Sequence, residues 1–138
     1  MQAAAGSCPC GRAGKSGKPI AFANCCGPYL DDFENTPAPD AERLMRSRYS
    51  AFVIGCTDYL RNTWHASRRP NDVAPEEGTK WLGLEVRGHK VVDADHAEVE
   101  FVARYRPATG FGQAVRIHER SRFVREAGRW YYVDGDLQ

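Results

Sequence analysis

The sequence contains no long apolar run and almost no net charge, and each absence excludes a class of protein. No stretch approaches the roughly 20 apolar residues of a membrane-spanning helix, so we expect no membrane association. The first ten residues lack both the basic start and the apolar centre of a secretory signal, which predicts a cytoplasmic protein. A formal net charge of only +1 gives no electrostatic argument for nucleic acid as a partner.

Cysteine is scarce in most of the chain but clustered near its start, where aliphatic side chains are few. Such a segment buries too little apolar surface to fold alone. In a reduced compartment, clustered thiols favour a metal, although disulfides or inert thiols are alternatives. Because four thiolates suit a closed tetrahedral zinc site, we predict one zinc ion. The predicted ligands are Cys8, Cys10, Cys25 and Cys26.

The 138 residues suit one domain with a small appendage, and the two prolines of Asn35–Pro39 indicate a linker between them. Residues 1–36 are predicted to form the cysteine knuckle and linker, and residues 37–138 an α+β domain with its own core. Apolar residues then recur at helical spacing from Asp40, a suitable N-cap, to a stop at Gly55.

A second, short helix is expected, with Thr57 as its cap and with Tyr59, Leu60, Thr63 and Trp64 on it. After an irregular segment over 67–79 the apolar period changes to two, which indicates four strands separated by turns at 93–96, 107–110 and 127–128. Helices followed by strands predict helices packed on a four-stranded antiparallel sheet. The residues expected on its inner face are Leu82, Leu84, Val86, Val99, Phe101, Ala103, Tyr105, Val115, Ile117, Phe123, Trp130 and Tyr132.

Two polar residues share the inner face of the third strand, because Glu119 and Ser121 have the same parity as Ile117 and Phe123. A two-residue turn at 127–128 would place Asp134 opposite Ser121. We therefore predict a pocket inside the sheet. Its predicted lining is Tyr49, Trp64, His65, Tyr105, Glu119, Ser121 and Asp134.

Two interpretations of this pocket remain open. Glu119 and Asp134 could serve as an acid and a base if burial raised one pKa, with His65 as a further candidate. Alternatively, Arg46 or Arg48 pairs with Glu119, and the carboxylate is structural. We favour the structural interpretation, although a Glu119 in a cavity without an arginine in reach would favour catalysis.

The outer face of the sheet carries several arginines, among them Arg116 and Arg120, with Glu98 and Glu100 on the neighbouring strand. If the apolar faces of the second and third strands coincide, the residue numbers of each cross-strand pair must sum to 216 or to 218. The first register places Glu100 beside Arg116, and the second places Glu98 beside Arg120. Either gives cross-strand ion pairs, so we expect a self-neutralised face rather than a nucleic-acid surface.

Several runs of sequence carry a family resemblance. The run CPCG…GKP…CCGPYL resembles the SEC-C motif, first known from the bacterial preprotein translocase motor. Together with four further runs, it makes the chain similar to the YchJ family of bacterial proteins. These runs are LMRSRYSAFV (44–53), YLRNTWH (59–65), VEFVARYR (99–106) and HERSRFVREAGRWYYVDGD (118–136).

The resemblance implies a nuclear-transport-factor-two-like domain, a curved antiparallel sheet closed by helices into a cone. It also implies a zinc knuckle that contacts a partner protein, and a cone that is a scaffold or holds a small molecule. Lys15 and Lys18 form a basic rim that could meet an acidic partner. The segment between the cysteine pairs is longer than the usual motif, so we expect it to bulge. An enzyme that uses the cone interior is the alternative.

Overall fold

The computed structural model describes residues 6–108 and 112–138 and has the predicted α+β architecture. The four strands form one antiparallel sheet in the order β1-β2-β3-β4, the predicted meander. Part of the predicted turn at 107–110 lies outside the described residues. The elements are a 3-10 turn at Phe22–Asn24, helices α1 (Gly27–Asp31), α2 (Ala41–Ile54) and α3 (Thr57–Asn62), and strands β1 (Lys80–Asp93), β2 (His96–Arg106), β3 (Val115–Glu126) and β4 (Arg129–Leu137).

Helix α2 begins and ends where the sequence predicts. The Asp40 carboxylate accepts the N–H of Arg43 at 2.7 Å, and Gly55 ends the helix with a φ of 84°. The predicted cap of α3 is wrong by one position, because Cys56 is the N-cap and Thr57 is already helical. Trp64 lies two residues beyond the end of α3.

A β-bulge in β1 reverses the predicted direction of one side chain. Trp81 pairs with Tyr105 and Gly83 pairs with Arg104, so Leu82 is an extra residue. Trp81 and Leu84 therefore both pack against the core, whereas Leu82 is 40% exposed. The prediction of an inward-facing Leu82 is wrong, because one inserted residue changes the parity of a strand.

A second irregularity in β4 changes the predicted pocket. The turn at residues 127–128 has two residues, and Phe123 pairs with Tyr132, as predicted. The next pair is Arg122 with Asp134, so Val133 is the extra residue. This bulge moves Asp134 to the outer face, where its Oδ1 accepts the Nε of Arg122 at 2.6 Å. The prediction of an inward-facing Asp134 is therefore wrong.

The strands β2 and β3 are paired in a register that the sequence did not predict. Glu100 pairs with Arg120 and Glu98 with Arg122, so paired positions sum to 220. The observed sum differs from both predicted sums by an even number. Each residue of β2 and β3 therefore still lies on the face that the sequence predicts. Glu100 lies 2.7 Å from His118 Nε2 and 3.8 Å from Arg120 Nη2, which confirms cross-strand neutralisation at this end.

The other end of the outer face is not neutralised. Arg104 pairs with Arg116 across β2 and β3, and Lys80 pairs with Arg106 across β1 and β2. Within residues 6–108 and 112–138, none of these four cations forms an ion pair. The expectation of a self-neutralised face thus holds for only part of the sheet.

The cysteine segment and the sheet share one core. The four clustered cysteines and Phe22 belong to the same group of buried residues as Leu44 on α2, Val99 on β2 and Phe123 on β3. The expectation of a separate core for residues 37–138 is therefore wrong, whereas a domain boundary at residue 36 stays a prediction. No helix in the described ranges is long and apolar enough to cross a membrane.

Candidate metal centre and interior pocket

The segment between the two cysteine pairs forms a short hairpin. The N–H of Cys8 donates to the carbonyl of Ile20 at 2.8 Å, and the N–H of Phe22 donates to Gly6 at 3.0 Å. Nearer the tip, the N–H of Gly14 donates to Lys18 at 2.8 Å. The hairpin takes up the additional residues of this segment, so the expected bulge does not separate the sulfurs.

The four cysteine sulfurs meet beneath this hairpin. Their Sγ atoms all lie within 4.8 Å of one another, and each residue is at most 6% exposed. The Sγ atoms of Cys10 and Cys25 are 3.6 Å apart. A tetrahedral zinc site with bonds of about 2.3 Å places its sulfurs about 3.8 Å apart, so this arrangement fits a four-thiolate metal centre.

Backbone packing holds the second cysteine pair in place. Cys25 and Cys26 lie between the 3-10 turn and α1, which begins at Gly27. A Cβ atom at Gly27 would lie 2.8 Å from the carbonyl oxygen of Phe22, so only glycine fits this approach. The sequence alone does not predict that position 27 must be glycine. The available signal was the position of Gly27 directly after the two cysteines.

Helix α2 contacts the cysteine cluster from the side of the sheet. Ser50 Oγ is 3.5 Å from Cys8 Sγ, and Arg46 Nη1 donates to the carbonyl of Cys10 at 3.0 Å. The N–H of Arg12 also donates to Cys10 Sγ at 3.5 Å. The Arg12 N–H donates to the sulfur itself, and donors of this kind stabilise the excess negative charge of a four-thiolate centre.

The thiols affect one another's ionisation. Hydrogen bonds with Cys10 and Cys8, together with burial, raise the pKa of Cys26 above its usual range. Hydrogen bonds from Cys10 and Cys26 lower the pKa of Cys8. The closely spaced sulfurs thus change one another's affinity for protons, and a divalent cation would bind them as deprotonated thiolates.

A cavity of about 200 Å³ lies between α2 and the inner face of the sheet. Four of the predicted pocket residues line it: Tyr49, Trp64, Glu119 and Ser121. Aromatic rings form most of its wall, and several of them were expected only as core. The lining residues outside the predicted set are Met45, Arg48, Phe52, Trp81, Phe101, Ala103, Ile117, Phe123 and Tyr132.

The carboxylate of Glu119 faces this cavity and is bound by hydroxyl groups. Its Oε2 accepts Ser121 Oγ at 2.7 Å and the hydroxyl of Tyr132 at 3.1 Å. Gly135 on the neighbouring strand β4 leaves room for this carboxylate, because a Cβ atom at that position would overlap it. The tyrosine bound to Glu119 is Tyr132, and no cation in the described part of the chain forms an ion pair with Glu119.

The pocket also contains a buried arginine that has other partners. Arg48 Nη1 donates to the carbonyl of Leu60 at 2.8 Å and to Thr63 Oγ1 at 2.7 Å. Its guanidinium carbon lies 5.3 Å from the ring centroid of Trp64 and 4.7 Å from that of Tyr132. Burial lowers the pKa of Arg48 to about 10, so the side chain stays charged at neutral pH.

The expected ion pairs of Glu119 with Arg46 or Arg48 are therefore absent among the residues that the structure shows. Arg46 Nε instead lies 3.0 Å from Glu42 on the same helix. The sequence pattern predicts Arg48 only as a partner of Glu119 and does not indicate its place in the aromatic wall. The available signal was its position among the apolar residues of helix α2, next to Tyr49.

Three predicted pocket residues lie elsewhere. His65 Nε2 is 2.8 Å from Glu126 Oε2 and its Nδ1 is 2.7 Å from Ser67 Oγ, which directs the ring away from the cavity. Tyr105 packs against Trp81, with ring centroids 5.2 Å apart, but does not line the cavity. Asp134 is on the outer face because Val133 is an extra residue in β4.

A curved sheet packed against helices, with a buried four-cysteine cluster beside it, defines a nuclear-transport-factor-two-like domain joined to a SEC-C-type knuckle. Comparison with known proteins agrees, because residues 40–135 match the family described as YchJ, middle NTF2-like domain. The chain therefore belongs to the YchJ family.

The relatives share nearly the whole chain. A UPF0225 protein of Polaromonas sp. is 69% identical over 131 residues, which cover 95% of this chain and 93% of that protein. A UPF0225 protein of Methylibium petroleiphilum is 53% identical and covers 94% of this chain and 88% of its own length.

Two solved structures resemble this one in fold. The solution structure of a SEC-C motif containing protein from Rhodopseudomonas palustris is 36% identical, with a TM-score of 0.80. The match covers 96% of this chain and 98% of that one. A crystal structure of a SEC-C motif containing protein from Psychrobacter arcticus is 33% identical, with a TM-score of 0.75, and the match covers 96% and 82% of the two chains.

The placement of Glu119 leads to a stability prediction. Glu119→Ala should reduce the free energy of unfolding by about 1–3 kcal/mol, because the hydroxyls of Ser121 and Tyr132 lose their acceptor. Glu98→Ala on the outer face should cost about 0.5 kcal/mol or less. Urea denaturation of both variants measures the difference. Equal losses would mean that the Glu119 carboxylate has no structural role in the interior.

Proposed function

We propose that this chain is a cytoplasmic zinc-binding protein whose cysteine knuckle presents a binding surface to a partner protein. The observation that carries the zinc assignment is the convergence of four buried Sγ atoms within 4.8 Å of one another. A site made only of thiolates suits zinc, and four protein ligands complete its tetrahedral coordination. Because no ligand position is left for water, the ion would be structural.

The hairpin above the metal centre is the proposed contact surface. Lys15 and Lys18 at its tip are exposed, and neither forms an ion pair within the described residues. A basic, metal-fixed hairpin is suited to an acidic protein surface, since rigid loops lose little conformational entropy on binding. The resemblance to SEC-C motif proteins supports this role by analogy only.

The interior cavity supports a second function, the binding of a small molecule. Its volume, its aromatic wall and the inward-facing Glu119 are typical of a ligand site. Glu119 forms no ion pair within the described residues, but Arg48 lines the same cavity, so the condition for catalysis, an interior without an arginine in reach, is not met. In addition, His65 and Asp134 lie outside the cavity, so no second carboxylate and no imidazole accompany Glu119 among the described lining residues. Ligand binding is therefore the better-supported role.

The zinc assignment is tested by the metal content of protein purified without a chelator. We expect about one zinc per chain, because all four ligands are already close together. Cys10→Ser should lower the zinc content several-fold, whereas Cys56→Ser, outside the cluster, should leave it unchanged. Metal-free protein with disulfides among Cys8, Cys10, Cys25 and Cys26 under reducing conditions would refute the assignment.

The partner surface is tested by photo-crosslinking in cells. A photoreactive amino acid at Ser16, on the exposed hairpin tip, should give a discrete protein adduct. The same residue at Asn71, in the irregular segment after α3, serves as the matched exposed control. We expect the adduct only at position 16, and we expect Cys10→Ser to abolish it. Equal adducts at the two positions, or none at position 16, would argue against a knuckle interface.

A further inference from the structure

We propose that the interior pocket binds a small protonated amine with a single-ring apolar body, whose ammonium group donates to Oε1 of Glu119. This inference rests on the proposed ligand-binding role of the pocket and names the class of ligand. It starts from an asymmetry in the carboxylate. Oε2 accepts both Ser121 Oγ and the Tyr132 hydroxyl, whereas Oε1 has no hydrogen-bond partner among residues 6–108 and 112–138.

The charges around the cavity favour a cation at this oxygen. Only two charged side chains, Arg48 and Glu119, are among the described lining residues. Arg48 already donates to Leu60 and Thr63 and forms no ion pair with the carboxylate. A carboxylate in an apolar wall gains most from a charged donor, because charge-assisted hydrogen bonds are about twice as strong as neutral ones.

Arg48 is the group that would oppose a bound cation, and its position limits that effect. Its guanidinium carbon lies 4.7 Å from the ring centroid of Tyr132, whose hydroxyl is bound to Oε2. Arg48 packs on the ring of Tyr132 without forming an ion pair with Glu119, so Oε1 remains the acceptor for a ligand. An acidic ligand would instead have to share the cavity with the unpaired Glu119.

The aromatic wall favours the same class of ligand. Besides Trp64 and Tyr132, five rings line the cavity, and they are those of Tyr49, Phe52, Trp81, Phe101 and Phe123. Tyr49 and Trp81 meet at 79° with centroids 5.5 Å apart, so different rings present faces and edges. The faces of aromatic rings attract ammonium groups, and their apolar area accommodates the body of the ligand.

The size of the cavity limits the ligand to one ring with a short arm. A cavity of about 150 Å³ in another protein holds benzene. The present cavity of about 200 Å³ has room for such a ring and a few more atoms. Benzylamine, which is protonated at neutral pH, therefore serves as the probe, with benzyl alcohol and benzoate as its neutral and anionic counterparts.

The test titrates the full chain with each of the three probes at pH 7. Amide and side-chain NMR shifts, together with the fluorescence of Trp64 and Trp81, report on the pocket. We expect benzylamine to bind about tenfold more tightly than either counterpart, with shifts confined to the lining residues. Glu119→Gln should remove this preference while leaving the affinity for benzyl alcohol within about threefold. Glu98→Gln on the outer face is the matched control and should change nothing.

The outcomes separate this inference from the proposal on which it rests. Equal binding of the three probes in the pocket, or tighter binding of benzoate, would overturn the amine inference but support a ligand site. No binding of any probe would contradict both. The probe series on the unaltered protein decides these points without a variant, so a poorly folded Glu119→Gln would not obscure the result.

Discussion

The burial of four cysteine sulfurs within the common core is the interaction on which the rest of this structure depends. Residues 6–31 contain few apolar side chains, and the hairpin, the 3-10 turn and α1 all surround the cluster. As free thiols the four side chains contribute only the packing of small apolar groups. Joined by one metal ion, the same thiols would fix the segment to helix α2 at several points.

Helix α2 links this centre to the interior pocket. Residues on one side of the helix, Arg46 and Ser50, contact the cysteine segment. Its other side supplies Arg48 and Tyr49 to the cavity wall. Because a close-packed helix transmits a shift at one face to the other, the state of the metal centre should influence the shape of the pocket. The two proposed functions of the chain are thus physically connected.

Local sequence signals predicted the elements of the fold well. The Asp40 cap, the Gly55 stop and the four strands follow from capping chemistry and from hydrophobic period. The cysteine spacing likewise predicted a cluster that the structure brings together. Caps and hydrophobic period depend on a few neighbouring residues, and four clustered cysteines indicate one metal ion by their chemistry. These signals can therefore be recognised without the tertiary structure.

The errors in the directions of Leu82 and Asp134 arose where a single inserted residue changes the parity of a strand. The bulges at Leu82 and Val133 leave almost no mark on the hydrophobic pattern, yet the second one moved Asp134 out of the predicted pocket. The bulged Val133 has a tertiary role, because its carbonyl accepts the indole N–H of Trp64 at 3.0 Å. A shift of two residues between paired strands leaves every side chain on the same face. The alternation of apolar residues therefore could not distinguish Arg116 from Arg120 as the partner of Glu100.

The most direct test of this account is amide hydrogen exchange before and after removal of the metal by a chelator. If the sulfurs belong to the common core, chelation should reduce protection both in the knuckle, at Cys8 and Phe22, and in the sheet, at Val99 and Phe123. Loss of protection confined to residues 6–31, with the sheet amides unchanged, would contradict the account. It would show instead that the knuckle is an independent appendage.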